Sequence, residues 1–110
     1  MTRQVAIVVG ARTRAKAPYG DEAWDIWAFS SLRLRTPRIT RWFEMHALDD
    51  LKSQLKVDTP RRYSFDSYMA FLRRLDCPIV MQRVHEELPR SIAYPLDEAL
   101  AAFGRCFTST

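Results

Sequence analysis

Apolar positions fall along this chain in two rhythms. In QVAIVV, residues 4–9, they are β-branched and nearly continuous, the pattern of a strand buried on both faces of a parallel sheet. Gly10 ends the run. Residues 11–22 read as a loop or short helical turn, broken by Pro18, Tyr19 and Gly20. WDIWAFS, 24–30, is aromatic and β-branched and predicts a second strand. An Arg-rich connection with Pro37 spans 31–40, and RWFEMH, 41–46, predicts a third strand. The period then lengthens. ALDDLKSQL, 47–55, places Leu48, Leu51 and Leu55 on one side of a short helix. After a polar connection over 56–63 with Pro60, SFDSYMAFLRRL, 64–75, is the clearest helix. Phe65, Tyr68, Met69, Leu72 and Leu75 form its stripe, Ser64 suits the N-cap and Asp66 the first turn.

CPIVMQRV, 77–84, predicts a fourth strand, and HEELPRSIAY an irregular connection. PLDEALAAF, 95–103, predicts a helix. Pro95 opens it, Asp97 and Glu98 meet its positive end, and Leu96, Ala99, Leu100 and Phe103 make its stripe. Gly104 stops it, and a short final strand follows. Alternating strands and helices imply a single α/β domain over 1–110 with a mostly parallel sheet of four or five strands and flanking helices. The connections 11–22 and 31–40 are short for crossovers, so either one strand is antiparallel or a crossover is mostly coil.

Composition supports a core: 47% of the 110 residues are apolar and 12% aromatic. No apolar stretch approaches the roughly 20 residues that span a bilayer, and the N-terminal apolar run reads as a strand rather than a signal segment. Cys77 and Cys106 form no close-spaced motif and read as structural thiols of a reducing compartment. Two histidines and two cysteines lie scattered without metal-ligand spacing, and no cofactor motif is present.

Charge changes the picture more. The formal net charge is +4, and it is uneven. Residues 1–41 hold eight Lys/Arg against three acids; the remainder holds nine against ten. Ligands of open parallel sheets bind outside the carboxyl ends of the strands. Arg12, Arg14 and Lys16 follow the first strand, and Ser30, Arg33, Arg35 and Arg38 follow the second. If both strands run parallel, these residues share one edge with Gly10, suited to a phosphorylated ligand. The glycine pattern itself is weak: neither GxGxxG nor GxxxxGK[ST] occurs, so side chains rather than amides would hold the anion. In RWFEMH, Trp42, Glu44 and His46 share one strand face, with Phe43 and Met45 on the other, and His46 falls at the ligand edge. Glu44 either orients the imidazole for proton transfer or meets an arginine as a buried pair. His85, flanked by Glu86 and Glu87, is a second histidine for the same edge or a surface residue. Trp24, Trp27, Tyr19 and Phe29 interleave with the arginines, which suits single-stranded nucleic acid, although Trp27 and Phe29 read as core.

WDIWAFS, RITRWFEMH, CPIVMQ and YPLDEALAAFGRCFTST, in that order, resemble a set of phage and prophage proteins of unassigned function with a Rossmann-like, nucleotide-binding-type domain. The resemblance implies a Rossmann-like sheet and a cytoplasmic setting in an infected or lysogenic bacterial cell. Two features depart from it. The small-residue loop after the first strand is GARTRAKAP here, and the further helix that the resemblance implies after FTST is missing from this sequence. A shortened sheet invites a second copy or a foreign partner. Three readings follow: a domain binding a nucleotide or other phosphorylated molecule, a phage-encoded interaction protein that inhibits a host defence or process, and a single-stranded nucleic-acid binder.

Overall fold

The computed structural model describes residues 3–29 and 36–95. Its elements are β1 (Gln4–Val8), α1 (Ala11–Lys16), β2 (Trp24–Phe29), β3 (Arg41–Glu44), α2 (Leu48–Gln54), α3 (Phe65–Arg74), β4 (Ile79–Met81) and β5 (Ser91–Ala93). The strands form one open five-stranded sheet in the order β1-β2-β3-β4-β5, every neighbouring pair parallel. This is the expected α/β class, compatible with a Rossmann-like arrangement. The helix expected over 95–103 and the final strand lie outside the described residues.

The strand order has a physical consequence. Connections between parallel strands of one sheet are right-handed in nearly all proteins, so strands taken in sequence order carry their connections on one face. Burial follows that rule. Val8, Ile26, Ala28, Trp42, Ile79 and Met81 line one face and share a single core with Leu51, Leu55, Tyr68, Met69 and Leu72 from the helices. On the opposite face Ile7, Val9, Phe29 and Ile92 are exposed, and Trp27 packs beside Phe43 at 5.1 Å between ring centroids. The expectation that Trp27 and Phe29 are core residues is therefore corrected. WDIWAF is apolar on both faces, and the covered face took Ile26 and Ala28 instead.

Helix α3 presents the predicted stripe: Tyr68, Met69 and Leu72 are buried, and Phe65 and Leu75 pack against the core. The Ser64 hydroxyl caps it by accepting from Ser67 N. Tyr68, Phe71, Tyr63 and Trp42 form an aromatic cluster between α3 and β3. β4 is shorter than predicted, and β5 occupies part of the stretch read as irregular. The free Cys77 is buried, which pushes its thiol above the ordinary range. Among the described residues no helix is long and apolar enough to cross a membrane.

Candidate functional site

β3 delivers two polar groups to the carboxyl edge of the sheet. Trp42 and Glu44 point to the covered face, and His46 follows two residues past Glu44. Glu44 is only 4% exposed. A carboxylate so deep in a core needs donors on its oxygens. Tyr68 Oη donates to Glu44 Oε1 at 2.6 Å. The backbone N–H of His46 donates to Oε2 at 3.1 Å, and His46 Nδ1 lies 2.8 Å from the same oxygen. Trp42 Nε1 in turn donates to Tyr68 Oη at 3.0 Å. Four side chains thus form one chain of hydrogen bonds, Trp42 to Tyr68 to Glu44 to His46, from the core to the surface.

The His46 side chain is 53% exposed, against 5% for that of Glu44. With an ionised Glu44 at Nδ1, the neutral imidazole carries its proton there and presents Nε2 outward as the free lone pair. A carboxylate behind an imidazole holds the tautomer and stabilises the imidazolium that forms on proton uptake. Gln82 Nε2, just past β4, donates to Met45 O at 2.7 Å and fixes the backbone that carries His46. Among the described residues Glu44 therefore pairs with His46 and not with an arginine. The phenol of Tyr68 sits well above its ordinary pKa. Burial is the main cause, with the charge and hydrogen bond of Glu44 adding to it and the Trp42 N–H acting in opposition.

The β1–α1 turn is built differently from a phosphate loop. Thr13 Oγ1 accepts from Val9 N at 2.9 Å and Gly10 N at 3.1 Å, and donates to Gly10 O at 3.0 Å. The amides that would face a phosphate are filled by the protein's own hydroxyl. Gly10 is extended, with φ −172°, and a Cβ there would meet nothing within 4 Å. Thr13→Val keeps the shape and removes these bonds. It is expected to cost about 1 kcal/mol, read as a lower urea midpoint. An unchanged midpoint would show that the turn does not depend on that hydroxyl.

The basic residues separate. Arg12 and Lys16, four apart on α1, share one side and border an open groove along β1 with Ala6, Ile7 and Trp24. Arg14 lies two residues from each, on another side of the helix, and its carbonyl accepts from Tyr19 Oη at 2.6 Å. At the rim, β1 stands two strand steps from β3, about 10 Å. Arg38 is a correction to the shared edge. Its guanidinium donates to the carbonyls of Tyr19, Asp21 and Trp24, and Trp24 begins β2, so Arg38 serves the amino end of the sheet. His85 is also displaced from His46. Its backbone N–H donates to Ser91 Oγ, and Ser91 opens β5 at the amino end. Ser30, Arg33 and Arg35 lie outside the described residues.

The sequence pairs Glu44 with His46 and sets Trp42 on their face, but gives no role at the site to Trp42 or Tyr68. The available signals were a tyrosine inside the stripe of α3 and a tryptophan on the same strand face as Glu44. Comparison with protein-family models, with curated proteins and with solved structures finds no match to this chain.

Proposed function

We propose that the carboxyl edge of the sheet binds a nucleotide or another small phosphorylated molecule beside His46, which exchanges a proton with it. One observation carries this reading: a half-exposed imidazole whose Nδ1 meets a buried carboxylate that is itself held by Tyr68. Such an arrangement costs burial of a charge and needs several matched donors, which a purely structural surface histidine does not require. A positioned general base or acid contributes about 10²–10⁴ in rate.

The basic surplus of the first third of the chain supports an anionic ligand. Phe29 pairs with Phe43, so the connection bearing Ser30, Arg33 and Arg35 departs from the carboxyl end of β2, beside β3. With Arg38 engaged at the amino end, those residues are the anion-binding candidates closest in chain position to this site, and Lys16, Arg14 and Arg12 follow.

A melting scan against nucleotides and sugar phosphates at millimolar concentration tests the proposal. A ligand at about 100 times its Kd adds about 2.7 kcal/mol to the folded state. That corresponds to a rise in Tm of order 10 °C for a domain near this size. Arg33→Ala with Arg35→Ala should abolish the rise, and His46→Gln should reduce it. If no phosphorylated compound shifts the transition, the proposal fails.

A further inference from the structure

The geometry points to a second, separate site: the outer edge of β1, with the groove between β1 and α1, docks an extended acidic segment of another protein as a sixth strand.

Among the described residues β1 is an edge strand. Its backbone there pairs with β2 alone, leaving alternate N–H and C=O groups on its outer side. Edge strands of this kind are templates for strand addition, and proteins that do not use them cover them or carry charge or proline within them. Residues 4–8 are QVAIV, with no charge and no proline. Ile7 is 51% exposed, and Val9 just beyond the strand is 48% exposed.

The groove beside this edge has a defined chemistry. Its floor is apolar, from Ala6, Ile7, Pro18 and Trp24, and Arg12 and Lys16 stand along it. Helix α1 contains no acidic residue, and among the described residues neither cation has an ion-pair partner. An incoming strand presents side chains alternately to the two sides of the sheet. A strand with acids on the side of α1 meets Arg12 and Lys16, and small apolar residues on its other side continue the exposed surface of Ile7 and Val9. The charge pattern also selects against a second copy as occupant. Antiparallel pairing of two β1 strands would bring Arg3, whose neighbouring acid Asp25 it already holds at 2.9 Å, against the basic helix.

Main-chain hydrogen bonds would supply the affinity and the two cations the selectivity. Fluorescence anisotropy tests this with a fluorescein-labelled peptide of about eight residues alternating valine and glutamate. Two control peptides carry lysine in place of glutamate, or N-methyl groups on alternate amides. Binding of the acidic peptide, weakened at least about 10-fold in each control, is the expected result. Arg12→Glu with Lys16→Glu should lower affinity for the acidic peptide by a similar factor and reverse the preference toward the lysine peptide. The peptide comparisons use the unaltered protein and stand whether or not that variant folds. Equal binding of the acidic and lysine peptides would overturn the charge assignment. Tolerance of N-methylation would overturn strand addition. A peptide-free dimer in sedimentation that excludes the acidic peptide would give the edge to a second copy instead.

Discussion

Tyr68→Phe is expected to remove about 3 kcal/mol of stability, although it deletes a single oxygen. That oxygen has two partners in the core. Without it Glu44 Oε1 loses its donor, and a buried carboxylate is left with His46 alone. Hydrogen bonds to charged groups contribute about 1.5–3 kcal/mol. Trp42 Nε1–H is stranded as well, and a buried donor without a partner costs about 1–3 kcal/mol. Relief from burying the hydroxyl itself offsets part of the total. The Tm should drop by of order 15 °C, with an unchanged denaturant slope showing that the same cooperative unit unfolds. A loss under about 3 °C would mean that the hydrogen-bond chain does not hold the core.

The same variant has a signature at high pH. The folded protein keeps the Tyr68 proton well above the ordinary phenol value of 10.0, whereas the unfolded chain releases it near that value. The folded state then binds more protons than the unfolded one, so stability is fully present below pH 10 and declines as pH rises beyond it. Tyr68→Phe should lack this contribution to the alkaline decline. Tyr19 and Cys77 are also raised by burial and retain theirs.

The second large effect is expected at Arg38. Its fork closes on three carbonyls, at 2.9 Å to Tyr19, 3.0 Å to Asp21 and 3.1 Å to Trp24, tying the 19–24 turn to the entry of β3. Arg38→Ala releases all three. Each bond is charge-assisted, but the site is partly open to water, so the expected loss is about 2 kcal/mol rather than the sum for buried bonds. Arg38→Lys should recover little, because an ammonium has no planar fork to reach three acceptors. The ligand-induced rise in Tm should survive in both variants. A variant of Arg38 with normal stability but no ligand response would place this residue at the anion site and overturn the assignment.

Arg38 also shows why part of the site was illegible in the sequence. As a string, Arg33, Arg35 and Arg38 look like one basic connection. Arg38 is held at the amino end of β2, away from the carboxyl edge, so membership of a basic run in sequence does not by itself place a side chain at that edge. Glu44 and His46 were legible because they lie two residues apart on one strand, and strand geometry alone brings them together. Tyr68 was not, because its link to Glu44 crosses 24 residues and depends on α3 lying over β3. Thr13 is an intermediate case. Its bond to Gly10 is local, but an apolar run ending in glycine resembles a phosphate loop until the hydroxyl is seen on the amides.

Local period and turn chemistry, both written in the sequence, determined β1, β2, β3, α2 and α3 and the α/β class. Three-residue β5 is too short for any period to register, and its existence depends on pairing with β4. Only the tertiary structure decided which apolar face of WDIWAF is covered, that Arg38 leaves the carboxyl edge, and that a core tyrosine holds the carboxylate behind His46. The reason is that a hydrophobic pattern states how a segment wants to be buried, whereas strand order determines against what.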